Sequence, residues 1–185
     1  NNYEYNALMV NGDVVEECVV RKLRQYPPGF GAACCIQTTR DLHVEELGRY
    51  FIIKNRIEGF SNTEFKWVPS EGRYYFIETN ARIWQQVRLT ESNGQNYLVA
   101  CYNRFVSRPV RLPWKKSWRE VKWIDAFADF ILWWRHLRKE GMSFFSYLRS
   151  LSRTKNCGLL NPRDPWPFFH EVVCLNVFRG RKKTI

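Results

Sequence analysis

The chain has 185 residues, 45% of them hydrophobic and 16% aromatic, with a formal net charge of +11. That composition excludes a disordered chain and leaves room for one sizeable domain or two small ones. The excess of 29 basic over 18 acidic residues favours polyanions: nucleotides, nucleic acid, an anionic membrane surface or an acidic partner.

The first predicted element is a hairpin over residues 3–25. "YEYNALMV" is followed by the turn signal "NGD" and then by "VVEECVVRKLRQY". Asn11 and Gly12 both tolerate the positive φ that a tight hairpin turn requires. "PPGFG", residues 27–31, breaks the second strand as a loop, and "AACCIQTT" reads as a further buried strand. Helical spacing begins at Asp41, with Val44, Leu47, Phe51 and Ile52 recurring through "DLHVEELGRYFIIKN". A second hairpin follows in "FSNTEFKWVPSEGRYYFIETN", its turn near "PSEG". After Arg82 the pattern turns helical, breaks at Gly94 and continues to "YLVACYNRF".

The composition shifts near Pro113. "WKKSWREVKWIDAFADFILWWRHLRKEG" reads as one long amphipathic helix ended by Gly141, with Trp118, Trp123, Phe127, Phe130, Trp133 and Trp134 packing onto the sheet. A shorter helix, "SFFSYLRSLSR", a Pro-rich turn, "NPRDPWPFF", and a basic tail, "RGRKKTI", complete the chain. Strands dominate the first half and helices the last third. The expected fold class is α+β, with residues 1–112 as a sheet domain and 113–185 as a helical extension.

Cys18, Cys34, Cys35, Cys101, Cys157 and Cys174 form no C-x-x-C pair and read as reduced, mostly buried thiols of a cytoplasmic protein. His43, His136 and His170 are far apart and lack zinc-ligand spacing. No signal peptide and no apolar run of membrane-spanning length is visible. The chain begins at Asn1, almost directly inside a strand pattern, which reads as a piece of a longer protein.

The chemistry concentrates in the second hairpin. Taken as symmetric about Glu71, it sets Glu64 across from Glu78 and Lys66 across from Phe76. Side chains alternate along a strand, so Glu78 and Asn80 share one face with Glu64 and Lys66. Opposed side chains start about 5 Å apart at Cβ, and two carboxylates that close repel unless a cation sits between them or one is protonated. Two carboxylates and an amide carbonyl form a hard-oxygen set of the kind magnesium takes, with water and phosphate completing its shell. The bland alternative is a solvated strand face on which charges happen to alternate. Arg82, just beyond, suits a phosphate oxygen or a surface ion pair.

"TEFKWVPSEGRYYFIETNARIW" resembles the metal-binding hairpin of the ATP-grasp superfamily: an acidic residue, a hairpin turn, then E-x-N-x-R. "VRKLRQYPPGFGAACCIQTT" resembles the preceding strand and glycine loop, departing from it by Phe30 between the glycines. "DLHVEELGRYF" resembles the following helix, and "DPWPFF" the C-terminal extension of carboxylate–amine ligase-like members. The resemblance implies an ATP- and magnesium-dependent ligase that phosphorylates a small-molecule carboxylate to an acyl phosphate, which an amine then attacks. It further implies Glu64 and Glu78 as metal ligands, Asn80 completing a second metal site, and Arg82 on the transferring phosphate as catalytic residue. Glu4 would bind the ATP ribose or else stand as an exposed strand residue. Ile77 would touch adenine or else pack in the core. Lys22 and Arg24 would meet phosphate or substrate carboxylate or else form a solvated strand face. Gly29 and Gly31 would close a loop or simply turn it.

The family also uses an N-terminal half that supplies phosphate-binding lysines and the adenine hinge. No phosphate loop within the chain replaces it. The expectation is therefore the metal-binding half of the fold, needing its other half in cis or in trans and turning over little alone. The rival reading is a binding module that meets an anionic membrane, peripheral to its inner face, or a partner, through the basic aromatic segment Trp114–Arg153. Nucleic acid binding is a weaker rival, since no recognised motif supports it.

Overall fold

The computed structural model describes residues 1–29, 31–106, 118–158, 160–161 and 163–170. Strands β1 (Asn2–Val10), β2 (Asp13–Tyr26) and β3 (Ala32–Thr39) lead into helix α1 (Leu42–Lys54). Strands β4 (Gly59–Val68) and β5 (Arg73–Asn80), a 3-10 turn (Val87–Asn93) and α2 (Tyr97–Asn103) follow. Then come β6 (Lys122–Ile124), α3 (Ala126–Leu132), a π-helical turn (Trp133–Leu137), α4 (Phe144–Ser150) and β7 (Thr154–Asn156). The architecture is α+β, on one mixed, seven-stranded sheet in the order β5-β4-β1-β2-β3-β6-β7. All neighbours are antiparallel except β6 and β7.

The first hairpin closes as the sequence predicts. Asn11 and Gly12 take φ of 56° and 82°, the positive pair of a tight two-residue turn. Their backbone N–H groups donate to the Glu58 carboxylate at 3.1 and 2.8 Å, which ties the turn to the start of β4.

Helix α1 starts where Asp41 caps it, accepting from the Val44 backbone N–H at 3.2 Å. Val44 and Ile52 pack on Tyr5, Ala7, Met9, Val19 and Phe65, the core on one face of the sheet. The helix approaches closely because Gly48 has no side chain: a Cβ there would lie 2.2 Å from Tyr5 Cγ. The opposite face of the sheet is covered by the 3-10 turn and α2. Leu89 packs on Val20 and Ile36, and Trp84 and Tyr97 pack on Leu8 and Val10.

The long helix expected from Trp114 to Gly141 does not form as one element. Residues 107–117 lie outside the described part, and Lys122–Ile124 is strand β6, paired with β3 through Cys35–Ile124, Ile36–Trp123 and Gln37–Lys122. Val121, Trp123 and Ile124 are buried there, so a short apolar run that fits a helical stripe is used as a strand. Asp125 then caps a new helix, its carboxylate accepting from the Ala128 N–H at 3.0 Å. Trp123 and Trp133 are buried as expected, whereas Trp118, Phe130 and Trp134 are exposed. Gly141, at φ 95°, follows the helical segment where the sequence sets its end. The composition change at Pro113 and the basic tail lie outside the described residues. Cys18, Cys34, Cys35, Cys101 and Cys157 are free thiols.

Candidate functional site

The predicted pairing of Glu64 with Glu78 is present, and it continues one strand further. Glu4 on β1 lies opposite Glu64 on β4, and Glu64 lies opposite Glu78 on β5. The row beside it is made of amides: Asn6 opposite Asn62, and Asn62 opposite Asn80. Each strand contributes one glutamate and one asparagine two positions apart. The antiparallel direction of β4 reverses their order to "NTE", so the rows stay in register.

A bulge at Ile77 shifts the rest of the hairpin. Glu64 pairs with Glu78 but Phe65 pairs with Phe76, so Lys66 faces Tyr75 and not Phe76 as hairpin symmetry predicts. The bulge turns Ile77 out of the ladder. It is 45% exposed and lines the same cavity as Glu78, so its place is the cavity wall and not the core.

That cavity has a volume of about 650 Å³. Glu4, Lys22, Asn62, Glu64, Glu78 and Asn80 line its floor and one flank. Lys66, Ile77 and Arg82 line it as well, with Trp84, Gln85 and Gln86 beyond β5 and Gly29 and Gly31 from the loop after β2. Of the residues the sequence singles out for the site, all except Arg24 converge here.

Lys22 organises the floor. Its ammonium lies 2.6 Å from Glu64 Oε2 and 3.4 Å from Glu4 Oε1. Burial works against its charge, but the two carboxylates outweigh it and raise the Lys22 pKa. Glu4 is 3% exposed, so the reading of an exposed strand residue fails, and Asn62 Nδ2 donates to it at 2.9 Å. Burial raises the Glu4 pKa; Lys22 opposes that shift and Glu64 adds to it. Asn62 Nδ2 also donates to Asn6 Oδ1 at 2.7 Å, which links the two rows. On the edge strand, Asn80 Nδ2 donates to Glu78 Oε1 at 2.8 Å, leaving the amide oxygen to act as a ligand. Arg82 follows a tight turn, in which its N–H donates to the Asn80 carbonyl at 2.9 Å.

Arg24 goes elsewhere. The β2–β3 register breaks on both sides of it, so Arg24 does not share a face with Lys22 as an i, i+2 pair in a regular strand would. Its guanidinium forms a two-pronged ion pair with Asp129 of α3 at 2.6 and 2.8 Å and donates to Ser150 Oγ at 3.0 Å. Asp129 is fully buried, so Arg24 is committed to anchoring α3 and α4.

The donor set suits a hard divalent cation. Glu78 is open to solvent, and Glu64 has one oxygen engaged by Lys22. Among the described residues no group of three or more His, Cys, Asp or Glu could hold a metal by itself. An ion bound here would take Glu64, Glu78 and the side-chain Oδ1 of Asn80 and draw its remaining ligands from water or phosphate, as magnesium does. Sequence reasoning missed Asn6, Asn62, Gln25 and Gln86. The recurring glutamate–asparagine spacing on all three strands was the available signal for the first two.

No model of a known protein family matches the chain, and no curated protein does. Among solved structures, a Rhizobium etli pyruvate carboxylase with acetyl coenzyme A is similar at 20% identity and a TM-score of 0.44, over 54% of this chain and 9% of that one. A complete multifunctional pyruvate carboxylase from the same organism is similar at 19% and 0.45, over 55% and 11%. The biotin carboxylase domain of a thermophilic 2-oxoglutarate carboxylase, bound to bicarbonate, is similar at 19% and 0.42, over 62% and 26%. The chain thus spans between about a tenth and about a quarter of the length of these structures.

Proposed function

We propose that this chain carries the metal-binding half of an ATP-grasp carboxylate–amine ligase. The observation that supports this reading best is the cross-strand pairing of Glu64 with Glu78 on the floor of a cavity that Asn80 and Arg82 also line. In this reading Glu64, Glu78 and Asn80 hold magnesium, which would neutralise phosphate oxygens of ATP. Arg82 meets the transferring phosphate, and Ile77, turned into the cavity by the bulge, offers an apolar contact to adenine. Lys22 holds Glu64 in place and balances the buried Glu4, so that a row of three carboxylates can exist without mutual repulsion. Glu4 is better placed as the electrostatic base of this floor than as a ribose contact, because Lys22 and Asn62 already engage it.

The wall facing this floor, with its phosphate-binding lysines and adenine hinge, would come from a second half in cis or in trans. Residues 1–185 alone would then bind ATP weakly and turn over little. The small-molecule carboxylate and amine would enter where the two halves meet. Binding of a fluorescent ATP analogue tests the metal requirement: it should occur with magnesium and vanish on chelation. Equal binding with and without the ion would contradict the proposal.

A further inference from the structure

On the other face of the sheet, α3 and α4 build an apolar surface that the cavity does not use. The Arg24–Asp129 ion pair holds α3 against the face of β2 opposite to Lys22. Trp133 is buried at the hub of this unit. Its ring lies 5.7 Å from Phe130, 6.1 Å from Trp134 and 5.3 Å from Phe144, and Phe144 lies 6.3 Å from Phe145. These outer rings are exposed, Phe145 by 82%, and Leu148 lies one turn further along α4 and is exposed too. Exposed aromatic rings in mutual contact differ from the singly scattered apolar residues of an ordinary protein surface.

Cations surround it. Arg135, Arg138, Lys139 and Arg149 are all exposed, and the Arg138 guanidinium stacks 4.1 Å above the Trp134 ring. Between Ala126 and Arg153 the acids are Asp129, neutralised in the core by Arg24, and Glu140. The charge of the whole chain shows the same bias. Residues 114–185 hold fifteen Lys and Arg against six Asp and Glu, so nine of the eleven surplus charges lie there. Per residue the last part is richer in bases, with fifteen Lys and Arg in 72 residues against fourteen in the first 113, and slightly poorer in acids.

We propose that the α3–α4 tip docks on an anionic lipid surface, with Phe144, Phe145 and Leu148 entering the headgroup–acyl boundary. Trp134 sits at headgroup level, where amphipathic indole rings are favoured. The arginine and lysine side chains reach back from the apolar tip to lipid phosphates and carboxylates, as long basic side chains do at such boundaries. This placement leaves the Glu64–Glu78 cavity on the other face of the sheet, free for its own ligand. The inference does not depend on the ligase reading.

Co-sedimentation with vesicles tests it. The chain should pellet with mixed phosphatidylcholine–phosphatidylserine vesicles, stay in solution with phosphatidylcholine alone, and lose binding as salt is raised. Phe145→Ser removes an apolar group with no place in the core and should weaken binding by about tenfold or more. The double change Lys139→Glu with Arg149→Glu should weaken it by a similar factor or more. Both variants should keep the wild-type melting temperature, which separates docking from folding. Failure to pellet with anionic vesicles overturns the proposal. So does a Phe145→Ser variant that binds like wild type while the charge variant does not, since that pattern marks a general polyanion site. An acidic protein or nucleic acid partner would produce one of those two results.

Discussion

Replacing Lys22 by methionine probes the floor of the cavity directly. The Lys22 side chain is 10% exposed and lies between two carboxylates whose side chains are 4% and 17% exposed. Methionine keeps most of the apolar stem and removes the charge. Glu4 is then left buried beside Glu64 with no cation between them, and breaking a buried pair in this way costs about 3–5 kcal/mol. Some of that is recovered because Glu64 reaches solvent and Glu4 can take up a proton, so the expected loss near neutral pH is about 3 kcal/mol. For a chain of this size that corresponds to a melting point roughly 6–12 °C lower.

The sign of the pH dependence is fixed by Glu4. Its folded pKa is raised above the ordinary carboxylate value of 4.5, so the folded state holds the proton to higher pH than the unfolded state does. The stability contribution of protonated Glu4 is complete below that value and is lost as pH rises through the folded pKa. Removing Lys22 pushes the folded pKa further up, so the penalty of Lys22→Met should be large at pH 8 and shrink towards pH 5. Urea denaturation at both pH values measures it. Adding Glu4→Gln to Lys22→Met should recover part of the loss, because the uncompensated charge is gone. A Lys22→Met variant as stable as wild type at pH 8, or a penalty that does not change with pH, would refute the electrostatic account of the floor.

Arg24→Met should cost about 3–5 kcal/mol in urea denaturation, because Asp129 is left buried without its partner, while magnesium–nucleotide binding stays unchanged. Loss of nucleotide affinity at full stability would return Arg24 to the site. Gly48→Ala should lower stability by about 1–3 kcal/mol, since its Cβ would meet the Tyr5 ring and α1 must shift outward. Burial pushes the Cys18 thiol up to about 12 and the Cys35 thiol up to about 11. Cys35, which is also fully buried, should therefore react with a disulfide reagent at pH 8 only after denaturation; its rapid labelling in the native protein would contradict its placement.

What could be read from the sequence was mostly what is local or periodic. Asn11-Gly12 names its own turn, Asp41 names the start of α1, and the Glu64–Glu78 pairing follows from hairpin symmetry. The misreadings come from places where the period breaks. The bulge at Ile77 moves Lys66 by one partner, and the double irregularity around Arg24 separates it from Lys22; neither carries a glycine or proline to mark it. Strand β6 was hidden inside a helical stripe because three apolar residues fit both periods, and only pairing with β3 decides between them. The glutamate–asparagine spacing on three strands was present in the sequence. Its meaning depends on β4 lying between β1 and β5, which is a fact of topology and not of spacing.

The most direct test of the proposed function is calorimetric titration of magnesium–ATP into the wild-type chain and into Glu78→Gln, in the presence of the complementary half where that half is required. Glutamine keeps the size and the hydrogen bonds of the edge strand and removes the charge that a metal would need. The account predicts that the variant folds with wild-type stability and loses the magnesium-dependent part of nucleotide binding. Unchanged magnesium–ATP affinity in a folded Glu78→Gln protein would contradict it.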